Sequence, residues 1–125
     1  MMSYGFERWI EGYVHKGRIG VLAEFAFDDS FSATTQEFRE LARDIVLQIA
    51  AIAPASVETL LGQDCLKYPD VTIDTHLQAV SAQLGDRVRI VRFERWGAGA
   101  DLARPGDHTD PPRAPANIMR IPRSA

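Results

Sequence analysis

The stretch YVHKGRIGVLAE, residues 13–24, decides the fold. Tyr13 and Val14 close one extended run, and Lys16 and Gly17 stand where a two-residue hairpin turn belongs. Gly17 takes the positive φ of such turns without a Cβ penalty. Beyond the turn, Ile19, Val21, Ala23, Phe25 and Phe27 alternate with Gly20, Leu22, Glu24 and Ala26. That is period two, with a continuous apolar face on the odd positions. Working backwards, residues 5–15 read as the first strand, with Trp9, Glu11, Tyr13 and His15 on one face and Ile10 and Val14 on the other. Gly12 within it marks a bulge or a close backbone approach. The second strand covers residues 18–27, and the rest of the chain has to cover its apolar face.

Residues 28–35, DDSFSATT, form a polar loop with one large apolar residue, Phe31. On composition alone Phe31 is expected to tuck into the core; the competing reading is an exposed anchor for a partner. Thr34 opens a helix as the first residue of a capping box with Glu37. Phe38, Leu41, Ala42, Ile45, Ile49, Ile52 and Ala53 recur at three and four spacing, with Arg39, Glu40, Arg43, Asp44 and Gln48 off the stripe. Val46 and Leu47 widen the apolar surface, so the helix is deeply packed or meets a second surface. Pro54 ends it.

Residues 54–72 connect, with a short helical turn around Val57, Leu60 and Leu61. Cys65 is a small packed residue, since no activating base accompanies it. A second helix runs from an N-cap at Thr72 along Ile73, Leu77, Val80 and Leu84 to Gly85 in the C′ place. Residues 87–96, RVRIVRFERW, form the third strand. Its apolar phase shifts between Ile90 and Val91, which calls for a bulge or for burial on both faces as a central strand. The expected architecture is α+β in the order β-β-α-α-β, a three-stranded antiparallel sheet with helices on one face. The open sheet face then calls for a homodimer. The expected domain spans residues 1–96. From residue 97 the chain carries five prolines and four arginines without periodicity, and reads as an irregular tail.

Composition narrows the function. Hydrophobic residues make up 46% and charged residues 25%, as in ordinary globular proteins, and the formal charge is −3. That balance offers no electrostatic case for nucleic acid, and Arg87, Arg89, Arg92 and Arg95 are split between strand faces (Arg92 opposite the others) as in a salt-bridged strand. One cysteine excludes an internal disulfide and favours a reducing, cytoplasmic location. No apolar run approaches a membrane span, and the N-terminus lacks the apolar run of a signal peptide. His15, His76 and His108 have no metal-site spacing, and there is no GxGxxG or P-loop, so no cofactor is expected. A small enzyme built from His15, Asp28 and Asp29 ranks last, because no second cluster supports acid-base work.

The segments IEGYVHKGRIGVLAEFAFDDSFSATTQEFRELARDIVLQIAA (10–51) and LLGQDCLKYPDVTIDTHLQAVSAQLGDRVRIVRFERWGAG (60–99) resemble the dimerisation domain of bacterial elongation factor Ts. The resemblance implies a non-enzymatic translation factor that binds elongation factor Tu and speeds GDP release. In that family an Asp-Phe pair in the loop after the hairpin pushes between helices of the partner's nucleotide domain and loosens its magnesium and phosphate site. Laid on this chain, the phenylalanine falls on Phe31 and the aspartate on Ser30, with Asp29 one residue away; the valine that follows becomes Ser32. The implied contacts are Asp28, Asp29, Ser30 and Phe31. Family members also begin with a small helical domain and carry a helical insertion after the long helix. This chain starts at the core and has only a few residues in the insertion's place, so a homodimeric interaction module without exchange activity is the alternative.

Overall fold

The computed structural model describes residues 7–98. Strand β1, Glu7–His15, pairs antiparallel with β2, Ile19–Phe27. The chain reverses between His15 and Ile19: Lys16 and Gly17 both have positive φ (53° and 70°), and Arg18 N–H donates to the His15 carbonyl at 2.9 Å. The turn chemistry is therefore the mirror-image type expected, but the ladder restarts at Ile19, so the reversal uses three residues rather than two. Gly12 sits in regular register opposite Leu22, so it is no bulge. A Cβ there would meet Leu22 Cδ2 at 3.2 Å, which makes it the close approach.

After a 3-10 turn, Ser30–Thr34, helix α1 runs over Gln36–Ile52. Its N-cap is Thr35, whose hydroxyl accepts Phe38 N–H at 3.1 Å. The expected cap, Thr34, is held in the 3-10 turn, its hydroxyl donating to the Phe31 carbonyl at 2.7 Å; the helix starts one residue later and makes no capping box with Glu37. Ala53 ends α1 in the left-handed region, at φ 54°. A short α2, Val57–Gly62, leads to α3, Ile73–Leu84, which is capped by Thr72 and terminated by Gly85 at φ 69°. Strand β3, Arg89–Gly97, returns antiparallel to β2, so the sheet order is β1-β2-β3.

β2 is the central strand and β3 an edge, which overturns the central placement considered for β3. Phe25 pairs with Ile90 and Glu24 with Arg92, leaving Val91 as the extra residue of a bulge. The bulge also re-sorts the arginines: Arg89 and Arg92 share the outer face, while Arg95 is on the inner face. There Arg95 donates through Nε and Nη2 to the Ala50 carbonyl, at 3.3 and 3.0 Å, in the last turn of α1. A cation there also suits the helix dipole.

The core lies between the inner sheet face and the helices. Val21, Ala23, Phe25 and Phe27 meet Phe38, Leu41, Ala42, Ile45 and Ile49, and Leu60, Ile73, Leu77 and Val80 close the far side. Phe38 is fully buried, with ring centroids of Trp9, Phe25 and Phe27 at 6.1, 5.9 and 5.0 Å. The apolar stripe of α1 stops short of expectation, since Ile52 and Ala53 are exposed. Gln48, by contrast, is buried rather than solvated. Its side chain donates to Gln63 Oε1 and the Asp64 carbonyl and accepts Leu66 N–H, tying α1 to the connector. The connector is the second surface that Val46 and Leu47 implied. Cys65 is buried there, and burial, then the nearby Asp44 and Asp64 charges, push its thiol pKa up. Phe6, His108 and the expected irregular tail beyond residue 98 lie outside the described residues.

Candidate partner-binding site

The loop after β2 is ordered by a carboxylate from the other end of the fold. Asp86 follows Gly85 at the end of α3. Its Oδ1 accepts Asp28 N–H at 2.9 Å, and its Oδ2 accepts Asp29 N–H at 3.1 Å and the Ser32 hydroxyl at 2.6 Å. Burial by itself would raise the Asp86 pKa, but the bonds from Ser32 and from the backbone N–H groups of Asp28, Asp29 and Arg87 outweigh it and hold the carboxyl below its ordinary value. Asp29 then caps the 3-10 turn, with Oδ1 accepting Phe31 N–H at 3.0 Å. The Ser32 carbonyl accepts both the N–H and the hydroxyl of Thr35, which joins the loop to the start of α1.

In this turn Ser32 goes inside and Phe31 goes out. Ser32 is buried, whereas Phe31 is 68% exposed. The tucked placement favoured by composition is thus wrong: the inward position of the turn is taken by Ser32, which hydrogen-bonds Asp86. Asp28, Asp29 and Ser30 are exposed beside Phe31, so the four expected contact residues form one surface. Of the four, only Asp28 borders an open hollow of ≈ 400 Å³, lined also by Gln78, Ser81, Asp86 and Arg87. His15 is not part of this surface. It lies at the turn end of the hairpin, with Nδ1 2.8 Å from the Tyr13 hydroxyl. The eight steps of β2 separate it from Asp28 by roughly 26 Å, so the enzyme-like trio is not assembled.

A second exposed surface lies on the outer sheet face. Ile10, Val14, Leu22 and Trp96 are each more than half exposed. Beside them Glu24 bridges Arg92 at 2.7 Å and Arg8 at 3.4 Å. No helix of the described residues is long and apolar enough to cross a membrane, and none of the described His, Cys, Asp or Glu side chains form a group of three suited to a metal ion.

No family model matches the chain. Curated proteins named elongation factor Ts do match it. The one from Carboxydothermus hydrogenoformans is 30% identical over 76% of this chain and 65% of its own length. Those from Desulfosudis oleivorans and Heliobacterium modesticaldum are each 27% identical, over 72% and 81% of this chain and 69% and 68% of their own lengths. This chain is similar to elongation factor Ts. It spans about two thirds of the length of these elongation factor Ts proteins. The Desulfosudis alignment runs over 136 residues, more than the whole of this 125-residue chain, so that elongation factor Ts has residues opposite which this chain has none.

Asp86 is the residue that sequence reading missed. A polar residue after a C′ glycine is an ordinary helix ending, and its partners lie more than fifty positions earlier. The available signal was the loop itself: residues 28–32 place backbone donors and a serine in a short turn with no local acceptor for all of them.

Proposed function

We propose that this chain is a translation factor of the elongation factor Ts type, which binds elongation factor Tu and promotes release of GDP. Phe31 is the wedge, and Asp28, Asp29 and Ser30 are the polar contacts around it. The observation that carries the proposal is the exposure of Phe31 on a hydrogen-bonded turn, at the loop position on which the family's phenylalanine falls. A large aromatic held in water by a rigid loop is an anchor in want of a pocket. The mechanism is linkage: contacts that favour the nucleotide-free partner weaken GDP binding by the same factor, and no bond is made or broken in the process. The setting is the cytoplasm, and the working core runs through Gly97, the last residue of β3, with the residues that follow a separate tail. The test is release of a fluorescent GDP analogue from elongation factor Tu with this protein in excess. Acceleration supports the proposal; unchanged release, with no complex on gel filtration, rejects it.

A second reading is favoured by the outer sheet face. Ile10, Val14, Leu22 and Trp96 suit a homodimer in which two sheets face each other. A dimer that leaves GDP release unchanged would make this an interaction module of the same fold. Sedimentation over a concentration series decides whether the dimer exists.

A further inference from the structure

Three observations converge on Asp86. Its two carboxylate oxygens grip the loop at three points, Asp28 N–H, Asp29 N–H and the Ser32 hydroxyl. Two of those points lead directly onward. Asp29 caps the turn at Phe31 N–H, and Ser32 connects through its carbonyl to the Thr35 cap of α1. A continuous hydrogen-bonded chain therefore runs from the end of α3 to the start of α1, and Phe31 projects from its middle. The grip is charge-assisted, so each bond is stronger than its neutral counterpart. Asp86 itself is half-buried behind the loop.

We propose that Asp86 is the positioning residue for Phe31, holding residues 28–34 in the shape that presents the ring without itself inserting into the partner. This rests on the reading of Phe31 as the wedge. An aromatic on a loose loop has to be ordered when it binds, and that cost comes out of the binding energy. A loop tied down in advance by Asp86 avoids it. Because Asp86 acts through Phe31, its effect on a partner vanishes once Phe31 is gone.

The test uses Asp86→Ala, Asp86→Asn and Ser32→Ala in the full chain, alone and combined with Phe31→Ala. Hydrogen exchange is followed at the amides of Asp28, Asp29, Ile45 and Ile49, and stimulation of GDP release is followed with elongation factor Tu. In Asp86→Ala the amides of Asp28 and Asp29 should exchange about tenfold faster while Ile45 and Ile49 keep their rates. Stimulation should drop about tenfold, Asp86→Asn and Ser32→Ala should fall between, and Asp86→Ala should change nothing further once Phe31→Ala is present. A uniform acceleration of exchange through α1 would make Asp86 a stability residue and overturn the proposal. So would wild-type stimulation in Asp86→Ala, or an equal loss in both backgrounds. The exchange arm needs no partner. A wild-type chain that fails to stimulate release rejects the exchange reading alone, while the tying of the loop by Asp86 stands or falls on Asp28 and Asp29.

Discussion

Truncating two phenylalanines seven positions apart should have very different effects. Phe31 is 68% exposed, so the fold covers about a third of it. A phenylalanine buries roughly 150–250 Å² when it goes fully inside. A third of that, at ~25 cal/mol per Å², gives about 1–2 kcal/mol, an upper bound because the unfolded chain also covers part of the ring. Phe31→Ala should therefore lower stability by about 1 kcal/mol. Phe38 is fully buried among the rings of Trp9, Phe25 and Phe27, and leaves a cavity when truncated. Phe38→Ala should lower stability by about 3–5 kcal/mol. Urea unfolding followed by circular dichroism separates the two. With a slope of about 1 kcal/mol/M, the midpoint shift should be roughly 1 M or less for Phe31→Ala and roughly 3 M or more for Phe38→Ala. Equal shifts would mean that Phe31 is a core residue, and the reasoning that makes it an anchor would be refuted.

Four further outcomes are expected. Gln48→Leu strands the Asp64 carbonyl and Leu66 N–H and should lower stability by about 2–4 kcal/mol, visible as a lower melting temperature. Ala53→Gly relieves a left-handed alanine at the end of α1 and should raise stability by about 0.5–1 kcal/mol in the same melt. The Asp86 carboxyl titrates lower in the folded chain than in the unfolded one, so its stabilisation is present above the unfolded pKa and is lost as pH falls through the folded pKa. Acid unfolding of Asp86→Asn should accordingly depend less steeply on pH than that of the wild type. Leu22→Lys, on the exposed outer face opposite Glu94, should dissociate a sheet-to-sheet dimer in sedimentation while changing monomer stability by about 1 kcal/mol or less.

The sheet and helices were legible because their periods are strong. The odd residues from Ile19 to Phe27 give the inner face of β2, and Phe38 through Ile49 give the buried side of α1. What was illegible depends on atoms far apart in sequence or on one-residue competition. Thr34 and Thr35 are equally good caps in the sequence, and only the 3-10 turn beneath Phe31 decides between them. Gln48 looks like a solvated helix residue until the connector folds over it. The phase shift at Val91 was visible, but choosing the bulge over a central placement needed the pairing with β2. At the candidate site the four contact residues were named from the loop sequence and its resemblance to elongation factor Ts. The outward turn of Phe31 was not derivable from composition, because it follows from Ser32 reaching Asp86 across the fold.

The central claim meets its most direct test in the rate at which elongation factor Tu, preloaded with a fluorescent GDP analogue, loses nucleotide when mixed with an excess of this protein or its Phe31→Ala variant. Faster release with the wild type, lost in a folded Phe31→Ala variant, is the predicted result. Release at the intrinsic rate with both proteins, and no complex on gel filtration, would contradict it.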